Sequence, residues 1–283
     1  MLNRFVVLFI LVLVNTVCTA ETTNVTVVSR GDDNAKYAIA MLNLALEEVG
    51  DPFAINVISD ALSAPKLREE LIAGSIDVIW TATNRDMETN ALPVRVPLFK
   101  GLLGHRILIV HKDNVHLFDH VTSMQQALAF TYGQGQGWTD TTIMQANGMK
   151  VVAANKYESL FYMTDGKRFD AFPRGVHEPW GEIAQRSELE LTVEPNLMFV
   201  YQMPYYLMVT PKRPDLAANI ERGLTMAIED GSFDQMFYGN AMVKTVLQYA
   251  NLRERRIFNL TNPELPSETP LDNKKLWVDI ATF

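Results

Sequence analysis

In the first third of the chain, short apolar runs typical of strands alternate with apolar residues at helical spacing. Residues 25–28 form a β-branched apolar run that predicts a strand, and residues 37–49 place apolar side chains at three- and four-residue steps before Gly50. That second pattern predicts an amphipathic helix with a glycine C-cap. Further runs predict a strand, a helix and a strand at residues 53–58, 63–73 and 77–81. Alternating strands and helices favour a parallel sheet with right-handed crossovers.

The same order of elements returns later in the chain. The pattern predicts strands at residues 127–132, 150–153 and 170–172, with one helix ending near Gly148 and another at residues 158–164. Two similar α/β units in one chain suggest two lobes. The pattern by itself leaves their arrangement open.

The last third is built differently. It predicts a strand at residues 206–210, a helix over residues 216–228, and a second helix that begins with a capping box of Ser232 and Gln235. The tail from residue 253 is rich in proline, asparagine and charged residues. We expect it to wrap the surface instead of building a core.

The amino terminus predicts a secretory signal peptide at residues 1–20. Arg4 precedes an apolar run at residues 5–14, and small residues follow at 18–20. The run is shorter than the about 20 residues that a membrane-spanning helix needs. A retained amino-terminal anchor is the alternative. Cleavage would remove Cys18, the 1 cysteine of the chain, so the mature protein would lack disulfides and depend on packing.

Charge and glycine spacing exclude two classes of partner. A net charge of −8 disfavours nucleic acid and anionic membranes as partners. Residues 130–140 read FTYGQGQGWTD, and this G-x-G-x-G spacing matches neither the dinucleotide fingerprint nor the phosphate-binding loop of nucleotide hydrolases. We therefore expect no nucleotide and no other cofactor. Because of the predicted signal peptide, we expect the mature chain to act outside the cytoplasm, in the periplasm.

Three segments, taken in order and spacing, carry a family resemblance. They are LPVRVPLFKGLLGHRILIVHKDN at 92–114, LAFTYGQGQGWTDTTIMQANGMKVVAANKYESLFYMTDGKRFDAF at 128–172 and YYLMVTPKRPDLAANIERGLTMAIEDGSFDQMFYGN at 205–240. This set resembles the bacterial extracytoplasmic solute-binding proteins of family 3, the polar amino acid type. The closing segment NPELPSETPLDNKKLW is similar to that of orphan members.

The resemblance implies a fold and a division of the chain. The fold is α/β, the type 2 periplasmic binding protein fold, with two lobes of parallel sheet joined by two hinge crossings and a ligand held in the cleft. Lobe one is then residues 21–104 with 204–283, and lobe two is residues 105–203. Closure of such lobes around a ligand follows from its higher affinity for the closed state.

The resemblance also implies ligand contacts in both lobes. Arg85 would pair with a solute carboxylate, and Thr81 or Thr83 would add a hydroxyl; a solvated loop arginine is the alternative. The glycine loop would present a helix N-terminus to the carboxylate at Thr139. The alternative is that Thr139 or Asp140 only caps the helix. Trp138 is either a lid on the solute or a core aromatic.

One departure from the family pattern concerns the solute's ammonium group. Amino-acid binders of this type usually carry an aspartate shortly after the pair that is Asp170-Ala171 here, but Phe-Pro-Arg-Gly-Val-His-Glu follows instead. Arg174 would repel an ammonium, and Glu178 would replace the missing charge only if the loop folds back. The solute is thus expected to be small and polar or anionic. Pairing of Arg174 with a surface acid is the alternative.

These observations predict a monomeric, non-enzymatic periplasmic protein that captures its solute for an ABC-type permease. The alternative is an orphan sensor that presents its closed form to a membrane receptor or signalling enzyme. A dehydratase-like enzyme would need a general acid, for which Glu178 is the only candidate. His111, His116 and His120 lie close in sequence, but without cysteine or an H-E-x-x-H motif we predict no metal site.

Overall fold

The computed structural model describes residues 22–60 and 62–280, so the predicted signal peptide lies outside the described residues. The first unit alternates strands and helices and confirms the predicted order. Its elements are β1 (Thr23–Ser29), α1 (Asp33–Val49), β2 (Phe53–Ser59), α2 (Ala64–Ala73), β3 (Val78–Ala82), α3 (Arg85–Asn90) and β4 (Leu92–Val94). β1 pairs with β2 in parallel. Asp32 caps α1 by accepting from the Ala35 N–H, and Gly50 ends it in the left-handed conformation.

The second unit repeats this alternation. Its elements are β5 (His105–His111), α4 (Met124–Ala127), β6 (Thr131–Gly135), α5 (Thr139–Ala146), β7 (Lys150–Ala154), α6 (Tyr157–Asp165), β8 (Phe172–Gly175), α7 (Pro179–Ala184), β9 (Leu191–Val193) and β10 (Leu197–Val200). β6 and β7 pair in parallel, and an isolated parallel bridge joins Tyr132 to Ala171.

Two strands of this unit lie later in the chain than the sequence pattern predicts. Residue 127 ends α4, which begins with a capping box of Ser123 and Gln126. β6 starts at Thr131, where Asp170 accepts from the Thr131 backbone and hydroxyl at 2.7 Å each. Because Asp170 is used in this way, β8 begins only at Phe172 and includes Arg174. Arg174 is therefore a strand residue.

The third segment returns to the first unit and then crosses to the second. It contains β11 (Tyr205–Val209), α8 (Pro214–Asp230), α9 (Ser232–Gly239), α10 (Ala241–Tyr249) and β12 (Arg256–Asn259). The predicted capping box of Ser232 and Gln235 is wrong. Gly231, at φ 89°, ends α8 and precedes α9, and Asp230 Oδ1 accepts from the Ser232 N–H at 2.8 Å. The Ser232 hydroxyl donates to the Ala227 carbonyl at 3.4 Å instead of capping α9. Asn240 then separates α9 from α10 by accepting from the Met242 N–H at 2.8 Å.

The expectation that the tail only wraps the surface is wrong for β12. This strand pairs in parallel with β10, while β10 pairs in antiparallel with β5. β5 also pairs with β8 and β9, so it is the central strand of this sheet. In the first unit β11 lies between β3 and β4, antiparallel to both.

The chain segments at Gly104 and Tyr201, near the two predicted crossings, lie side by side. The Tyr201 N–H donates to the Gly104 carbonyl at 3.0 Å. A Cβ atom on Gly104 would lie 1.9 Å from the Tyr201 carbonyl oxygen, so only glycine permits this approach. The division into lobes near residues 104 and 204 stays a prediction.

Two large apolar clusters stabilise the chain, and the first also includes Ile107 and Met198 of the second unit. The first is built around α1, β1, β3 and α8, and the second lies between β5, β6 and α5. Among the helices described, none is long and apolar enough to span a membrane.

Candidate functional site

Four strand ends, two from each unit, bring polar side chains together. Asn34 follows β1 and Asn84 follows β3, whereas Thr139 follows β6 and Glu178 follows β8. Ligands of open α/β sheets bind beyond the carboxyl ends of the strands. Asn34 Nδ2 donates to Glu178 Oε1 at 2.9 Å, and Asn84 Nδ2 donates to Thr139 Oγ1 at 3.3 Å. The two units therefore contact each other through this polar cluster.

Arg106, on β5, is buried at the centre of the cluster. Its guanidinium pairs with Asp140 and donates to the Tyr201 hydroxyl at 3.0 Å and to Glu178 Oε2 at 3.4 Å. The Tyr201 hydroxyl donates to Asp140 in turn. Burial alone would lower the pKa of Arg106, but the neighbouring Asp140 raises it above the ordinary value. Arg106 thus stays charged and joins the ends of β6 and β8.

Arg174 forms the second half of the cluster. Its Nε donates to both oxygens of Glu182 at 3.0 and 2.9 Å, and its Nη2 donates to Glu178 Oε1 at 2.7 Å. The Tyr157 hydroxyl donates to Glu182 Oε1 at 2.5 Å, and burial raises the pKa of Tyr157 so that it remains a neutral donor. Glu178 also accepts from the Gly175 N–H at 2.7 Å.

Two side chains of the cluster carry polar atoms without a partner among the described residues. These atoms are Asn34 Oδ1 and both ring nitrogens of His177, all buried. The His177 ring stacks on Phe99, with centroids 4.0 Å apart. Burial lowers the pKa of His177 to about 3, and the charges of Arg106 and Arg174 add to this effect. Buried polar groups are normally hydrogen-bonded, so these atoms can bond to water or to a bound polar molecule.

Four of the residues predicted from the sequence lie in this cluster. Arg174 and Glu178 form an ion pair, Thr139 contacts Asn84, and Trp138 lies beneath the Arg174 guanidinium. The Trp138 ring packs over Gly135, where a Cβ atom would lie 2.2 Å from the indole. The ring belongs to the core cluster of β8 and α6. Trp138 is therefore a packing residue that also forms part of the wall of the site.

Three of the predicted residues lie outside the cluster. The Thr83 hydroxyl is buried and donates to Glu88 Oε1 at 2.8 Å, while Thr81 Oγ1 donates to the next carbonyl at 3.3 Å. Arg85 is exposed at the first residue of α3, and no hydrogen bond or ion pair joins its side chain to the described residues of the cluster. The position that reaches lobe two is Asn84, one residue earlier.

Sequence reasoning missed Asn34, Asn84, Arg106 and His177. One signal was available for Arg106, because it is a lone charge within the apolar run LLGHRILIV, and a buried charge needs partners. The asparagines gave no signal beyond their positions after strands. His177 becomes recognisable only from its burial and its contact with Phe99.

The amino end of α5 also faces the cluster. Within the part of the chain that the structure describes, no acceptor is bonded to the backbone N–H groups of Thr139 or Asp140. The helix dipole favours negative charge at this end, and the Asp140 carboxylate lies there. This geometry is compatible with the expected anion-facing helix terminus.

A surface groove of about 410 Å³ lies elsewhere, between Trp180 on α7 and Tyr249 at the end of α10. It contains none of the residues predicted from the sequence. Its arginine, Arg255, donates to the carbonyls of Ala250, Glu194 and Leu197 and has a structural role. Across residues 22–60 and 62–280, no group of three His, Cys, Asp or Glu side chains is arranged to hold a metal ion.

Comparison with known proteins shows which fold the chain has, but not its function. No known family profile matches the sequence, and no curated protein does. An ancestral arginine-binding protein bound to arginine superposes with a TM-score of 0.57 and 16% identity, over 78% of this chain and 98% of that one. The arginine-, lysine-, histidine-binding protein of Geobacillus stearothermophilus superposes with a TM-score of 0.56 and 12% identity, over 78% of this chain and 95% of that one.

A histidine kinase sensor domain with similarity to periplasmic binding proteins gives a TM-score of 0.59 and 11% identity, over 79% of this chain and 97% of that one. These neighbours span both units of the chain, and their shared architecture agrees with the sheets and crossings described above. The chain therefore has the two-lobed α/β fold of the type 2 periplasmic binding proteins.

Proposed function

We propose that this chain is a periplasmic solute-binding protein that captures a small, polar, amino-acid-like solute between its two lobes. The observation that carries the proposal is the convergence of four strand ends on one buried charged cluster. Asn34 and Glu178 bring polar groups of both units to one place, so a solute bound among them would contact both lobes and favour the closed state.

The charges of the cluster suit a zwitterion. Two guanidinium groups, of Arg106 and Arg174, face three carboxylates, of Asp140, Glu178 and Glu182. One negative charge is thus left over, and a solute ammonium would balance it. The amino end of α5 offers N–H groups to a solute carboxylate. Glu178 takes the place of the missing aspartate in this proposal, and Arg174 does not repel the ammonium because its charge is already paired.

We infer a binding role instead of catalysis. Glu178, the one candidate acid, accepts hydrogen bonds from Asn34, Arg174 and Gly175, which disfavours its use as a general acid. Neighbours of this fold include an amino acid ABC transporter's substrate-binding protein, and this supports uptake through an ABC-type permease. That the protein acts as a monomer is a further part of the proposal. Export of the chain by a cleaved signal peptide remains part of this proposal.

A sensing role is the second candidate, and the histidine kinase sensor domain of the same fold supports it. In that case the closed form would be read by a membrane receptor or signalling enzyme. Gene neighbourhood distinguishes the two roles: permease and ATPase genes favour uptake, whereas an adjacent kinase or cyclase gene favours sensing.

A thermal-shift screen tests the proposal. Purified protein of residues 21–283 is heated with single amino acids, dicarboxylates and neutral sugars. A solute that binds only the folded state stabilises it by about 2.7 kcal/mol at a hundredfold excess over its dissociation constant. We expect stabilisation by an amino acid or an amino-acid-like acid. Stabilisation by sugars alone, or by none of these solutes, would contradict the proposal.

Arg85 is tested in the same assay. If Arg85 holds the solute carboxylate, Arg85→Ala weakens binding by about 1.5 to 3 kcal/mol. An unchanged affinity would remove Arg85 from the site and leave Asn84 and Thr139 as the contacts at that end of the cleft. Arg68→Ala, a change at an arginine of α2 that pairs with Asp86, is the matched control.

A further inference from the structure

The guanidinium of Arg174 lies in a cage of aromatic rings. Its Cζ atom is 5.1 Å from the ring centroid of Phe172, 5.3 Å from that of Trp138 and 5.6 Å from that of Tyr157. Cations within about 6 Å of an aromatic face are attracted by the ring quadrupole. Three rings from β8, the loop before α5 and α6 thus surround one positive group.

Two carboxylates complete the cage. Glu182 accepts from Nε and from Nη2, the latter at 2.5 Å, and Glu178 accepts from Nη2 at 2.7 Å. Arg174 is 6% exposed, so these pairs are formed away from water. Aromatic faces together with two carboxylates form a binding site for a guanidinium or ammonium group, and the chain supplies that group itself.

The cage lies at the boundary between the units. Glu178 is held from lobe one by Asn34, and the Arg30 guanidinium lies 5.9 Å from the Tyr157 ring. A cation supplied by a solute would reach the cage from this boundary. Arg174 occupies the position that such a cation would need.

We propose that Arg174 is a built-in cation that fills this cage and thereby determines the specificity of the cleft. The cleft then takes solutes without a positively charged side chain, and removal of Arg174 opens the cage to a guanidinium group. As a statement about solute choice this inference rests on the proposed function. The cage itself can be tested without knowing the solute.

The experiment uses Arg174→Ala in the full mature chain and two pairs of probes. L-arginine is compared with its neutral isostere L-citrulline, and methylguanidinium with methylurea, each at concentrations up to about 20 mM and at constant ionic strength. We expect methylguanidinium and L-arginine to raise the Tm of Arg174→Ala by about 2–4 °C when they are about tenfold above their dissociation constants. The neutral isosteres and the wild-type protein should show no such rise.

Arg95→Ala is the matched control variant. It removes an arginine paired with Glu88, whose carboxylate is as buried as Glu178, but no aromatic cage surrounds Arg95 among the described residues. Methylguanidinium should not stabilise it beyond the wild type. Equal stabilisation of both variants would overturn the inference, because any freed carboxylate would then explain the effect. A folded Arg174→Ala that does not respond to methylguanidinium would also overturn it.

The wild-type protein provides a test that does not depend on the variant folding. If wild-type protein binds L-arginine more tightly than L-citrulline, the cage is open to outside cations and the inference is wrong. A wild-type protein that binds neutral or acidic amino acids and rejects L-arginine supports it. If no solute binds the wild type but methylguanidinium stabilises Arg174→Ala, the cage stands and the proposed function fails instead.

Discussion

The side-chain amide of Asn34 donates to Glu178 Oε1 at 2.9 Å, across 144 positions of sequence. Asn34 lies in the first turn of α1, and Glu178 lies just before α7. The bond therefore joins the carboxyl ends of a strand in each unit. It holds the candidate site together from both sides, and Asn34 Oδ1 is buried without a partner among the described residues.

Asn34→Ala should weaken solute binding by about 1 kcal/mol, or roughly fivefold, because it removes one neutral-to-charged hydrogen bond across the cleft. Titration calorimetry with the solute found in the screen measures the change. Asn43→Ala is the control, since Asn43 lies on the same helix and bonds only to the Ile39 carbonyl within it. Equal losses for both variants would show that the effect comes from α1 and not from the cleft.

Arg106→Met should destabilise the protein by about 3 to 5 kcal/mol, because it leaves the buried Asp140 carboxylate without its guanidinium partner and removes one of the two guanidinium partners of Glu178. Urea unfolding measures the free energy. The double variant with Arg106→Met and Asp140→Asn should recover part of the lost stability, because it also removes the buried charge of Asp140. Arg68→Met is the control: its partner Asp86 is 62% exposed, so the cost should be below about 1 kcal/mol. Similar costs for the two single variants would contradict the central role of Arg106.

Gly135→Ala should cost about 1 to 3 kcal/mol of stability, because the added methyl group would meet the Trp138 indole at 2.2 Å. The tryptophan fluorescence of the protein should change with it, because Trp138 is one of its 4 tryptophans and its ring is pushed from the wall of the site. Gly239→Ala, where a Cβ atom meets nothing within 4 Å, should stay within about 0.5 kcal/mol of the wild type. A neutral Gly135→Ala would mean that the indole does not cover this strand.

The lowered pKa of His177 makes folding sensitive to acid. The folded pKa is about 3 against 6.5 for an unperturbed histidine, so between these values the unfolded chain binds a proton that the folded chain does not. Stability therefore falls as the pH falls from 6.5 towards 3, by up to about 1.4 kcal/mol per pH unit. His177→Phe keeps the stack on Phe99 and should lose less stability between pH 6.5 and 4.5.

His120→Phe, at an exposed histidine, is the control for this pH series and should follow the wild type. Identical slopes for His177→Phe and wild type would show that His177 is protonated in the folded protein. The same variant tests the unpaired ring nitrogens, because their loss should weaken solute binding if they contact the solute.

Hydrophobic periodicity predicted the helices and strands of the first unit well, because buried faces repeat at fixed steps along α1, β1 and β3. It placed β6 and β8 too early, since the anchoring of Thr131 by Asp170 is a contact between distant positions. The pairing of β12 with β10 also joins residues far apart in sequence, so a local hydrophobic pattern cannot predict it.

The site was predictable only where residue chemistry and position in the chain coincided. Glu178 and Arg174 drew notice as charges after a strand, and the structure pairs them with each other. Asn34 and Asn84 are ordinary turn residues until the fold places them opposite Glu178 and Thr139. The glycines of the FTYGQGQGWTD loop give close packing under Phe169 and Trp138 at Gly133 and Gly135, and only Gly137 has a positive φ.

Hydrogen–deuterium exchange of the wild-type protein, with and without the solute found in the screen, tests the central claim most directly. A solute bound between the lobes should slow exchange at all four strand ends together, in peptides covering residues 31–36, 83–87, 136–141 and 174–180. Protection confined to one unit, or to the groove between Trp180 and Tyr249, would contradict binding in the interlobe cleft.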